Sequence, residues 1–189
     1  MSTEHSLILR LTITPADMAE ALGRPAPGFD QYTDWEDLPI FIDDRIIREV
    51  RRFEGDTPGA LLAEIHGYSK FTGGWMFQYD RTRNLLTLIN LLNGQNWDEH
   101  LGCLCILRSL PAREGTIIIQ DLISGSEEAQ AIIEYIDGVG HVVDVDTPHA
   151  DELAKQCADF ARPILETLQA AGDGPIPSLP DSFPEWWPR

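Results

Sequence analysis

Residues 85–92, LLTLINLL, place apolar side chains on both faces of any strand they form, and this constrains the fold more than any other stretch. A strand with one solvated face alternates polar and apolar residues, whereas one that does not alternate has to be covered from both sides. The stretch is therefore expected to be a central, buried strand. Arg81-Thr82-Arg83-Asn84 before it is a turn of hairpin length, and residues 75–80 read as the partner strand.

The remaining elements are read from their ends. Residues 6–13, SLILRLTI, form a strand; Thr14 then supplies an N-cap, Pro15 fits the first helical position, and Gly23 closes a helix over 15–22. Residues 24–41 hold Pro25, Pro27, Gly28 and Pro39 among acids and aromatics, which is loop chemistry. Ile42, Ile46, Val50 and Phe53 predict a helix over 44–53. Its outer face carries Arg45, Arg48, Arg51 and Arg52, which are expected to pair with the neighbouring acids. Thr57-Pro58 opens a helix that stops at Gly67, with a strand as the competing reading.

Asn96 caps a helix over 97–109, buried by Leu101, Leu104, Cys105, Ile106 and Leu107. Residues 116–123 are a further strand. Over 127–137 an alternating pattern competes with Ala129, Ile132, Ile133 and Ile136 at helical spacing, with Ser126 as cap and Gly138 as stop; the helix is preferred. Residues 141–146 form a short strand, and Thr147-Pro148 opens a last helix. Its stripe of Leu153, Cys157, Phe160, Ile164 and Leu168 runs through Pro163, predicting a kink. The sum is an α/β or α+β fold: one domain over 1–171, with a mixed sheet of about five strands flanked by helices. Residues 172–189 hold five prolines with Phe183, Trp186 and Trp187, and predict an extended tail.

Charge bounds the partner. The chain of 189 residues has a formal net charge of −17, and the acids are segregated. Residues 1–60 carry −6, residues 61–120 are neutral, and residues 121–189 carry −11. Between Glu114 and Asp151 stand nine acids and no Lys or Arg, and a second run comprises Asp30, Asp34, Glu36, Asp37, Asp43 and Asp44. Such a field repels nucleic acid and anionic membrane and attracts cationic surfaces. The apolar run 7–13 is broken by Arg10 and follows Glu4, unlike a signal peptide, so a cytoplasmic location is expected. Cys103, Cys105 and Cys157 lie in apolar stretches and read as buried thiols.

Chemistry-bearing motifs are weak. His141, Asp144, Asp146 and His149 fall within nine residues and could in principle ligate a divalent metal. Alternation along a strand turns His141 away from the two carboxylates, so no metal site is assigned. Ser124-Gly125-Ser126 could cradle a phosphate, but Glu127 and Glu128 occupy that helix start and would repel an anion. There is no G-x-S-x-G, P-loop, dinucleotide fingerprint or zinc-protease helix, and no cofactor is assigned.

These observations lead to an acidic cytoplasmic binding protein that neutralises a basic protein partner, of the kind a bacterial immunity protein or antitoxin is to a basic toxin domain. A nucleic-acid mimic is a related variant. The expected contact residues are Asp30, Asp34, Glu36, Asp37, Asp43, Asp44, Glu134, Asp137, Asp144 and Asp146. Glu127, Glu128 and Asp151 are set apart because each has a local role at a helix start. Trp186 and Trp187 either fold the tail back onto the body or contact the partner. The competing class is a metal-dependent hydrolase using Asp144, Asp146 and a histidine.

Overall fold

Alternation along the first strand decides the layering. Leu7, Leu9 and Leu11 are buried on one side of it and Ile8 on the other, so a sheet through this strand separates two cores. The computed structural model describes residues 5–38, 43–72, 75–92, 97–122 and 128–170. Within them the strands are β1 (His5–Thr12), β2 (Trp75–Asp80), β3 (Leu85–Leu92), β4 (Glu114–Gln120), β5 (Ala129–Ile136) and β6 (Val139–Val142). The helices are α1 (Pro15–Leu22), α2 (Asp44–Val50), α3 (Pro58–Thr72), α4 (Trp97–Arg108) and α5 (Pro148–Ala170). The strands form one sheet in the order β2-β3-β1-β4-β5-β6, antiparallel at every pairing. This is an α+β fold.

The larger core lies between the sheet and α1 to α4. Leu7, Leu9, Leu11, Leu86, Leu88, Ile117, Ile119, Ile133 and Tyr135 meet Met18, Leu22, Val50, Leu62, Leu101 and Leu104 there. The smaller core lies under α5, where Ile8, Ile89, Ile118 and Ile132 meet Ala150, Cys157, Ala158 and Ala161. Small side chains on the inner face of α5 let the helix sit close to the isoleucine ridge. β3 is an interior strand with Leu86, Leu88 and Ile89 fully buried, as the unalternating LLTLINLL requires. No helix of the described residues is long and apolar enough to cross a membrane.

Three expectations are corrected. Residues 129–136 are a strand and not a helix: Ala131, Ile133 and Tyr135 enter one core while Ile132 enters the other. A strand buried on both faces loses the alternation that distinguishes it, so its isoleucines also matched a helical period. The deciding signal was Asp137-Gly138, with φ of 51° and 86°, the pair of positive dihedrals that a two-residue hairpin turn needs. A helix here would have been a crossover between parallel strands. The hairpin instead makes the sheet antiparallel and adds its sixth strand.

Second, β6 ends at Val142, so Asp144 and Asp146 lie in the turn into α5 and not on a strand. Third, α3 is a helix that runs on through Gly67 to Thr72. The helix expected over 44–53 is α2 followed by a 3-10 turn, Arg51–Phe53. Thr14 caps α1 by accepting from Asp17 N–H at 3.2 Å. The Asn96 cap, the Ser124-Gly125-Ser126 segment with Glu127, and the tail from 172 with Trp186 and Trp187 lie outside the described residues.

Gly115 shows how tightly β1 and β4 approach. Its φ is 130°, and a Cβ there would lie 2.1 Å from the Arg10 carbonyl oxygen. Gly115→Ala is expected to lower stability by about 3 kcal/mol or more, combining backbone strain with a steric clash. The midpoint of urea unfolding measures it.

Candidate functional site

A helix as apolar as α4 leaves few options for a charge on its inner side, and Arg108 at its end is 8% exposed. The guanidinium donates from Nη2 to Asp34 Oδ2 at 2.6 Å and from Nε to the Gly140 carbonyl at 2.9 Å. Its Nη2 also reaches the same carbonyl at 2.6 Å. Asp34 Oδ2 in turn accepts the Val142 N–H at 2.9 Å. The ion pair thus joins α4, the acidic loop before α2, and the outermost strand β6. Gly140 is small for a reason: a Cβ there would come within 3.3 Å of Ile133, Tyr135 and Arg108 side-chain atoms.

Aromatic residues of the acidic loop complete the joint. The guanidinium carbon lies 4.2 Å from the Tyr32 ring centre and 5.0 Å from that of Trp35. Trp35 stacks on Phe29 at 5.2 Å, and its indole N–H donates to the Phe29 carbonyl at 3.0 Å. The loop expected over 24–41 is therefore anchored by its aromatics, with 3-10 turns at Phe29–Gln31 and Trp35–Asp37. Burial pushes the Asp34 carboxyl upward, but the Arg108 hydrogen bond, the Val142 N–H and the Arg108 charge outweigh it and hold the group below the ordinary carboxylate value. Burial also pushes the Tyr32 hydroxyl up to about 12, so it stays neutral.

The acids expected at a partner surface divide in two. Several have local employment: Asp34 as above, Asp30 in a 2.7 Å bridge to Arg51, and Asp43 as the cap of α2, accepting from Arg45 and Ile46 N–H. Glu134 Oε2 lies 2.8 Å from His149 Nε2. Asp144 Oδ1 accepts the Asp146 N–H at 3.0 Å, while Thr147 donates to the Asp144 carbonyl. Asp44 stands in the first turn of α2, and its carbonyl accepts from Arg48. Of the four arginines expected to pair with acids, Arg51 does so with Asp30 and Glu54 and Arg52 with Glu49, both from the 3-10 turn after α2. Arg45 and Arg48 on α2 itself make no ion pair among the described residues.

Glu36, Asp37, Asp137, Asp144 and Asp146 are exposed and make no ion pair among the described residues. The bond from Val142 to Asp34 brings the two acidic runs to one place, with Glu36 and Asp37 following Asp34 and Asp144 following Val142. The turn between β5 and β6 adds Ile136 and Val139, a directly opposed pair each 54% exposed. No other large hydrophobic is as open among the described residues. The metal-binding alternative gains no convergence. His149 is turned to Glu134, His141 lies opposite Glu134 across the strands, and Asp144 is bonded into its own turn. Among the described residues no group of three or more His, Cys, Asp or Glu could hold a metal ion.

Family models, curated proteins and solved structures were each compared with this chain, and none matches it.

Arg108 escaped the sequence reading, although a lone arginine directly after the run Cys103-Leu104-Cys105-Ile106-Leu107 was the signal available. Asp34→Ala leaves the buried guanidinium without its counter-charge and is expected to cost about 3 kcal/mol at pH 7. Because the folded-state carboxyl is depressed, its contribution is present in full above the unfolded pKa, about 4, and is lost as pH falls through the folded value. The stability gap between wild type and Asp34→Asn should therefore narrow below about pH 4. Urea titrations at pH 7 and pH 3 measure both effects.

Proposed function

We propose that this protein binds and neutralises a cationic protein partner, acting as an immunity protein or antitoxin acts on a basic toxin domain. The observation that carries the reading is the Asp34 to Val142 bond, which gathers two acidic runs distant in sequence onto one edge of the sheet. Glu36, Asp37, Asp137, Asp144 and Asp146 supply charge there without internal cations to cancel it. Ile136 and Val139, beside the β5–β6 turn, supply an exposed apolar contact from which a partner could exclude water. Charge then accelerates encounter, and the apolar pair slows release.

The sheet edge itself is not offered to the partner as a pairing template. Arg108 takes the Gly140 carbonyl and Asp34 takes the Val142 N–H, so backbone groups of β6 that could recruit a foreign strand are occupied. Recognition is thus assigned to side chains.

Amide replacement tests this without disturbing the turns, since Asn at 137 tolerates positive φ and Asn at 144 keeps the acceptor oxygen. The variant combining Glu36→Gln, Asp37→Asn, Asp137→Asn, Asp144→Asn and Asp146→Asn is expected to fold with wild-type melting behaviour. The partner captured from the source cells by the wild-type chain is expected to be basic. Its association rate should fall on the order of tenfold between 50 and 300 mM NaCl, and the variant should show a clearly weaker dependence. Capture of only neutral or acidic proteins, or a rate indifferent to salt, would overturn the reading.

A further inference from the structure

The register of the sheet places Gln78, Thr87, Arg10, Thr116, Glu134 and His141 directly opposite one another, one from each strand in spatial order. They share the face that carries α5, so a polar row crosses that face beside the isoleucine core. Arg10 is its cationic centre. An arginine within a strand as apolar as SLILRLTI has to be placed somewhere, and the structure lays its guanidinium on the Phe160 ring of α5, 4.3 Å from the centre. That contact fixes the plane of the group.

The surroundings of Arg10 do not neutralise it. Its Nε is shut away without an acceptor, and the side chain makes no ion pair among the described residues of a strongly acidic protein. Yet Arg10, Glu114 and Glu134 line one groove of about 440 Å³ beside α5. Glu134 uses only Oε2 on His149, and Glu114 takes a long 3.5 Å bond from Thr12. Opposite charges thus border the same space without meeting, and Thr116 and Gln156 add neutral hydrogen-bonding groups to its walls. The volume falls within the ordinary range of small-molecule sites, about 300–1,000 Å³.

We propose that this groove binds a small zwitterion, an α-amino acid, with its carboxylate on Arg10 and its ammonium between Glu134 and Glu114. A simple anion would face two carboxylates and a simple cation would face the guanidinium; a ligand carrying both charges satisfies each. Burial pushes the Cys157 thiol at the groove wall up to about 12, so it stays protonated and the site binds its ligand without a thiolate. The groove shares β5 with the acidic edge, but its ligand does not depend on the partner proposed for that edge.

The test titrates the full chain with each of the twenty L-α-amino acids, following backbone amide resonances, with acetate and methylammonium as half-ligands. At least one amino acid is expected to shift Arg10, Thr116 and Gln156 and to bind about tenfold more tightly than either half-ligand. Arg10→Gln and Glu134→Gln should each weaken it by about tenfold. Glu134→Gln, which is partly solvated and retains an acceptor oxygen for His149, keeps the test decisive if Arg10→Gln does not fold. No shift with any of the twenty, acetate binding as tightly as the best amino acid, or Glu134→Gln binding it unchanged would overturn the proposal.

Discussion

The contact between Arg108 and Asp34 organises what surrounds it. A guanidinium in an apolar layer is costly to desolvate, and it is tolerated when its donors are engaged and its charge is matched. Here one carboxylate oxygen and two aromatic faces from the loop at 32–35 do this together with one carbonyl from β6. Removing any of them leaves a buried charge poorly served. The joint is therefore better understood as a device that specifies one arrangement of loop, helix and edge strand than as a large source of stability. Its remaining polar atoms, Arg108 Nη1 and Asp34 Oδ1, are buried and have no hydrogen-bond partner among the described residues.

That arrangement separates the acids into two kinds. Those near the joint and the helix starts serve as caps, bridges and turn acceptors, and their charge is used locally. Of the others, Glu36, Asp37, Asp144 and Asp146 follow the bond between Asp34 and Val142 at the end of β6, and Asp137 stands in the turn before that strand. In the 3-10 turn after α2, by contrast, opposite charges close on themselves through Arg51 and Arg52. Surface pairs of that sort contribute little to stability but offset part of the basic patch, leaving Arg45 and Arg48 exposed.

Local signals were legible where a segment's neighbours agree with its own pattern. The strand at 6–13, the capped helix at 15–22 and the hairpin around residues 81–84 were readable because a run of aliphatic and β-branched residues, a cap hydroxyl and a short turn each have a local cause. Residues 129–136 were not, since burial on both faces erased the period and isoleucine at 132, 133 and 136 fits a helix as well as a strand. Asp137-Gly138 carried the answer in turn chemistry. The groove at Arg10 was illegible for another reason: Thr87, Thr116 and Glu134 are far from it in sequence and become its neighbours only through register.

By itself, the sequence determined that residues 85–92 must be buried on both sides, that the charge is acidic and segregated, and where most elements start and stop. These are properties of short stretches and of composition, so they need no knowledge of distant contacts. Tertiary structure alone decided that the sheet is antiparallel throughout and that Asp34 meets Arg108 across 74 residues. It also decided that the two acidic runs share one edge and that Arg10 faces carboxylates it does not touch. The physical reason is common to all four: a buried charge or an unpaired backbone group selects its partner by geometry, and that geometry exists only once the strands have paired.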